Sequence, residues 1–404
     1  MNKSGRIGST QEVKPGYQKT KLGWIPEEWE LEKLGKIAQV DPESLGSKTD
    51  EDYTFRYVSL SDIENGVISE NLETYTFKHS PSRAKRLVQK GDVLLATVRP
   101  NLKAFAKVKN ANNLVVSTGF AVLRAKLERL DSNYLLHSIY GTNTEKQIYG
   151  LVVGSNYPAI NSKDVKNLRI PLPPLPEQRQ IARILSTWDK AIDTLQKLIA
   201  KKQERKKGLM QQLLTGKKRF AGFEGEWKEV RLKEHLKINK GKAISKSEII
   251  PGSYAVIAGG KSSPYRHNTF THQNVITISA SGAYAGYVAM YKEKIWASDC
   301  SVITSSDYYD LDFIFYLLSL NQRKLYSMQS GGAQPHVYPK DIESLKFFLP
   351  KLREQQKIAS VLSTADLEIE KLQGQLEKLQ EQKKGLMQKL LTGEVRVKSV
   401  VNNE

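Results

Sequence analysis

The sequence predicts an α+β protein: two globular units carrying twisted sheets, joined by two long helices packed as an antiparallel coiled coil with pseudo-twofold symmetry. Three observations predict it. Glu177–Gly216 and Glu354–Gly393 align without a gap at an offset of 177 residues, with 24 of 40 positions identical. Within both copies, apolar residues recur at alternating steps of four and three, which is a heptad seam. Between the copies, short β-branched runs alternate with polar loops, which is the pattern of mixed sheet domains.

The duplication continues upstream of the helices. Asp164-Val165 aligns with Asp341-Ile342, Leu168 with Leu345, and Leu172-Pro173 with Leu349-Pro350; Gly154 aligns with Gly331 and Pro158 with Pro335. Each unit opens on a tryptophan, Trp29 and Trp227, but these lie 198 residues apart, so the first unit is longer by 21 residues. The expected segments are an N-terminal arm (1–22), a first globular domain (23–170), a first spacer helix (171–216), a second domain (217–347), a second spacer helix (348–393) and a tail (394–404). Strands are expected at 92–98, 114–123, 274–279 and 287–290, and helices at 134–140 and 311–320.

The spacer helices carry their own start and stop signals. Leu172–Pro176 is stiff and extended, and Pro176 suits a first helical position; Arg353 at the matching place shows that the proline is dispensable. Gly216 and Gly393 stand where a glycine ends a helix. The seam reads Ile181, Leu185, Trp188, Ile192, Leu195 and Ile199 in one copy. In the other it reads Ile358, Leu362, Ala365, Ile369, Leu372, Leu376 and Leu379. A helix of about 39 residues is on the order of 58 Å long, the length of about 17 base pairs of duplex.

The chain has 404 residues and a formal charge of +19. One cysteine, Cys300, excludes a disulfide framework and any multi-cysteine zinc module. The N-terminus has no apolar secretory core and no stretch is long enough to span a bilayer, so a soluble, cytoplasmic protein without a membrane partner is expected. The basic excess is spread over both domains and the first helix, which points to a polyanion, most simply nucleic acid.

Loops that mix cations, amides and aromatics are the candidate contacts, because Arg and Lys read guanine, Asn and Gln read adenine, and hydroxyls and Lys hold phosphate. These are Thr97, Arg99, Asn101 and Lys103; Asn156 and Tyr157; Lys261, Tyr265, Arg266 and His267; and Gln334, His336 and Tyr338. The run Lys201–Lys207 is read as a solvated helix face.

No catalytic or metal site is expected. Gly260-Lys261-Ser262 resembles a phosphate loop but no amphipathic helix follows it. His267 and His272 lack zinc-ligand neighbours, and Cys300 sits in an apolar strand. Glu204-x-Lys206 and Glu381-x-Lys383 have nuclease-like spacing at equivalent helix positions, which a helix surface explains.

The layout resembles the DNA-specificity subunit of type I restriction–modification systems. The resemblance rests on Leu172–Gln178 with Ile181 and Leu185, on Lys207–Gly216, and on the second run Lys384–Gly393; it covers essentially the whole chain. It implies a non-catalytic subunit whose domains each read half of a split, asymmetric site in double-stranded DNA. It also implies that the helices set the gap and hold two modification subunits, which methylate adenine using S-adenosylmethionine. Restriction subunits that hydrolyse ATP with magnesium can join such assemblies, and no cofactor is expected in this chain.

Gly208 and Gly385 interrupt good helices at matching positions, at about 1 kcal/mol each relative to Ala. Leu209, Met210, Leu213, Leu214, Leu386, Met387, Leu390 and Leu391 are therefore expected to contact the modification subunits, or else to close the intramolecular helix pair. The competing functions are a coiled-coil scaffold without base reading and a nucleotide hydrolase using the Lys261 loop.

Overall fold

In the computed structural model the described residues are 14–154, 158–261 and 263–397. They form two compact units, Met1–Thr194 with Leu376–Glu404, and Leu195–Gln375. The division falls inside both long helices, Leu175–Leu213 and Leu352–Thr392, rather than at their ends. Each helix thus starts in one unit and finishes in the other.

Unit one holds two four-stranded sheets. The first is antiparallel, in the order Ala106–Lys107, Val93–Ala96, Phe120–Ala125, Ala38–Val40. The second runs Thr74–Thr76, Thr54–Val58, Leu114–Ser117, Ala84–Leu87, with its middle pair parallel. The expected single strand over 114–123 is therefore two strands in different sheets. Gly119 donates its N–H to the Ser117 side-chain oxygen at 3.1 Å, turning the chain between them. Apolar runs on both sides of Ser117-Thr118-Gly119, each buried, read as one strand although those three residues mark the turn.

Unit two repeats the plan. Its antiparallel sheet runs Val288–Tyr291, Val275–Ser279, Cys300–Ile303, Ile238–Lys240, and its second sheet runs Arg266–His267, Tyr254–Ile257, Ile295–Ala297, again with one parallel pair. The strand matching Ala84–Leu87 is reduced to an isolated bridge between His272 and Ile295. A two-stranded clasp recurs in the same register, Leu172 against Glu30 and Leu349 against Lys228.

The duplicated Glu-Gln pair ties each helix start to its own unit. Gln178 Nε2 donates to the Pro173 carbonyl and Gln355 Nε2 to that of Pro350, both at 2.8 Å. Their Oε1 atoms accept from the N–H groups of Asp131 and Asp310. Those aspartates in turn cap the helices Ser132–Tyr140 and Leu311–Leu320, where helices were expected.

Ile181 and Leu185 are buried in the core of unit one, and Ile358 and Leu362 in that of unit two. The ends cross over: Leu213 and Leu214 enter the core of unit two, and Leu390 and Leu391 that of unit one. Buried this way, at 2–7% exposure, these four leucines have no surface to give a partner, which corrects the docking role expected of them. Leu209, Met210, Leu386 and Met387 pack half-buried on the same cores.

The helix segments run antiparallel within each unit. In unit two Lys202 pairs with Glu368 at 2.5 Å and Lys206 pairs with Asp366; in unit one Lys383 pairs with Asp189. The last two pairs exchange under the 177-residue offset, so each unit makes the same contact with the duplicated residues. These contacts also account for the Glu-x-Lys matches and for part of the basic run at 201–207 as structure.

Candidate nucleic-acid interface

Each unit carries a short three-part ladder, and candidate residues flank it: Thr97–Lys103 in unit one and Gln334–Tyr338 in unit two, whereas Tyr265 and Arg266 lie at the edge of the second sheet. In unit one Ala159 bridges Val98 on one side and Val153 on the other. In unit two His336 bridges Ser281 and Ser330 in the same way. Ala159 and His336, and Val153 and Ser330, stand at the 177-residue offset.

From the ladder of unit one projects the loop Thr97–Lys103. Arg99 and Lys103 both adopt left-handed backbone, φ 48° and 52°, around a helical turn at Pro100–Leu102. Non-glycine residues there are strained, and the surroundings must hold them. Arg99 N–H donates to the Pro158 carbonyl at 2.7 Å, Pro100 is buried, and Lys103 Nζ pairs with Glu145 at 2.9 Å. Arg99 and Asn101 are exposed, and Lys103 is half-buried. Thr97 differs from the expectation: it is buried, with its hydroxyl donating to the Gly119 carbonyl at 2.9 Å, so it shapes the loop from within. Asn156 and Tyr157 lie outside the described residues.

In unit two Lys261 lies over the rings of Tyr284, at 5.0 Å, and Tyr287, at 5.6 Å. Tyr265 is exposed with Lys246 over its ring, and Arg266 is exposed with its guanidinium donating to the Ser253 carbonyl. Gln334 and Tyr338 are exposed, and Tyr338 stacks on His336 with ring centroids 5.8 Å apart. His267 contradicts its expected role. It is buried, accepts from the Ile250 N–H at 3.1 Å and meets Trp296 edge-on, so it is a core residue.

The chemistry of these surfaces is cationic, aromatic and amide, suited to phosphates and base edges. The segment after Lys261 enters the strand Arg266–His267, not a helix, so the phosphate-loop geometry is absent there. Cys300 is buried in its strand, and burial pushes its thiol up to about 12. Among the described residues no cluster of three His, Cys, Asp or Glu could hold a metal ion, and no helix is long and apolar enough to cross a membrane.

Sequence reading missed Tyr284, Tyr287 and Leu102. The tyrosines sit in a glycine-rich loop with no charge beside them, and only the fold brings Lys261 onto them. Leu102 lies within a loop singled out for its polar residues, and an exposed leucine cannot be told from a core one by residue type.

Comparison with known proteins places this architecture. The family model described as the type I restriction modification DNA specificity domain matches residues 26–202 and 224–381. The type I restriction enzyme MjaVIII specificity subunit of Methanocaldococcus jannaschii is 25% identical over 93% of this chain and 95% of its own length. A chain from a structure of complex assembly and conformational transition in a type I R-M system superposes with a TM-score of 0.62 at 24% identity, over 92% of this chain and 99% of that one. The type I restriction–modification S subunit from M. genitalium gives 0.63 at 17% identity, over 90% and 96%. The last two are likenesses of fold.

Proposed function

Since the chain belongs to the type I restriction–modification DNA-specificity family, we propose that each of its units reads one half of a bipartite, asymmetric DNA site. The observation that carries this reading is one fold built twice with different loops. Both units keep the same sheet order and ladder, while the ladder residues differ at every position and the loops beside them share little beyond Gly154 with Gly331 and Pro158 with Pro335. A duplicated scaffold with unlike reading surfaces suits a target whose halves differ.

The subunit supplies the address and acts in the cytoplasm. Methyl transfer from S-adenosylmethionine, and ATP- and magnesium-dependent cleavage where a restriction subunit joins, belong to partner subunits. Two modification subunits dock on the helices, one near each glycine. Support comes from Gly208 and Gly385: a side chain added at either would meet nothing, so the fold itself does not require glycine there. The scaffold alternative accounts for the helices but not for the cationic and aromatic loops.

Footprinting of the complex reconstituted with its modification subunit tests this on DNA it methylates. Two protected blocks are expected, with affinity falling steeply as salt rises. Protection of a single block would overturn the reading.

A further inference from the structure

We propose that the matching ladders read opposite chemistry: the ladder of unit one, with Leu102, meets thymine methyl groups, and the ladder of unit two reads its half-site by hydrogen bonds. This rests on the half-site reading above and deepens it.

The ladder of unit one is apolar at every position, Val98, Ala159 and Val153. That of unit two is polar at every position, Ser281, His336 and Ser330. A ladder that served only to hold the fold would have no reason to reverse its character between two copies of one scaffold, and its outermost positions, Val153 and Ser330, are exposed in both units. Exposure sharpens the contrast. Val153 is 77% exposed and Leu102 68% exposed, and Tyr149 nearby is 53% exposed. Tyr149 lines one small cavity with Pro100 and Lys103, and Pro158 next to Ala159 accepts from Arg99, so these side chains share one stretch of surface.

An exposed apolar patch bordered by polar groups marks a contact surface. Arg99 and Asn101 border this one with a guanidinium and an amide, beside Lys103 in its pair with Glu145, which suits a polyanion that also has an apolar group to offer. The thymine methyl is the apolar group that duplex DNA presents among hydrogen-bonding edges in the major groove. The loop is held ready for it: Leu102 stands between the left-handed residues Arg99 and Lys103, braced by buried Pro100 and by the Lys103–Glu145 pair. In unit two Ser281 is itself buried, and its hydroxyl donates to Asp299 and so holds that exposed carboxylate in place; Ser330 is exposed, and half-buried His336 stacks beside Tyr338. The Asp299 carboxylate can accept from exocyclic amino groups, and the Ser330 hydroxyl and His336 imidazole can donate or accept.

The test uses the complex with its modification subunit on a duplex carrying the mapped site. Each thymine is replaced in turn by deoxyuridine, which removes only the methyl group. At one or more thymines of a single half-site the wild type should lose roughly three- to tenfold in affinity. Leu102→Ala and Val153→Ala should bind more weakly and lose that sensitivity at the same thymines. Ser281→Ala and His336→Ala should relax base preference in the other half and leave the deoxyuridine response unchanged. Co-purification with the modification subunit confirms that each variant is folded. Indifference to every deoxyuridine, or sensitivity that persists in both unit-one variants, overturns the proposal. Failure of the wild type to bind the mapped site would instead strike the half-site reading itself.

Discussion

Glu177 accepts from the Trp29 indole at 3.0 Å and from Arg396 at 2.8 and 3.0 Å, and it is buried. Its counterpart Glu354 accepts from Arg219 at 2.9 and 2.8 Å. Arg219 and Arg396 stand at the same 177-residue offset, so a buried carboxylate held by an arginine fork secures both units. Unit two lacks the third contact: the Trp227 indole N–H is buried without an acceptor. The leucines at the helix ends give the plainest stability prediction. Leu213→Ala and Leu390→Ala each remove a core side chain, and each should cost about 2–5 kcal/mol in denaturant unfolding. A cost below about 0.5 kcal/mol would mean that the helix ends do not belong to those cores.

A second residue-scale prediction concerns His137. It is buried beside Ser186, at 3.2 Å, and faces Asp189, Lys383 and Asp131. Burial pushes its pKa down to about 4 against the pull of Asp189. The unfolded chain takes up a proton near 6.5 while the folded chain does not. Stability from the neutral ring is therefore full above pH 6.5 and is lost as pH falls toward 4. Urea unfolding of His137→Gln should show a shallower loss than wild type across that window, and equal slopes would contradict the burial argument. In unit two the comparable place is held by Tyr316, whose hydroxyl donates to Asp366 at 2.7 Å and which does not titrate there.

At the scale of elements, the long helices were legible because a duplication and a heptad period are strong signals, and both helices form where expected. Where their seams pack was not legible. Heptad positions at the ends enter the sheets' cores, while Ile199 and Ile369 are the seam residues buried in the middle of the helices. Periodicity shows which face is apolar and not what covers it. The strand break at Gly119 was passed over because the residues flanking Ser117-Thr118-Gly119 are apolar on both sides. The helix glycines give the prediction at this scale. Gly208→Ala and Gly385→Ala should each stabilise the chain by about 1 kcal/mol in thermal unfolding. If partners dock there, each should also weaken capture of a modification subunit in pull-down; unchanged capture with the stability gain would remove the glycines from the docking surface.

For the whole molecule, sequence reading reached the two-unit plan and the exposure of seven of the thirteen candidate contact residues. Arg99, Asn101, Lys261, Tyr265, Gln334 and Tyr338 are exposed in loops, and Arg266 is exposed on a short strand. Thr97 and His267 are inside, because a polar residue next to a strand end is as readily a buried hydrogen-bonding group as a surface one. That both units share one sheet order was beyond sequence reading, since their strands keep the plan with different residues and a different length. The shared plan makes exchange the natural experiment. Replacing 217–347 by the matching segment of another family member should alter one half of the target and spare the other.

The most direct measurement of the central claim is to map methylated adenines in DNA exposed to the complex of this chain with its modification subunit. A single motif of two unlike halves separated by a constant number of unspecified base pairs is expected. Methylation at scattered adenines, or at one uninterrupted motif, would contradict it.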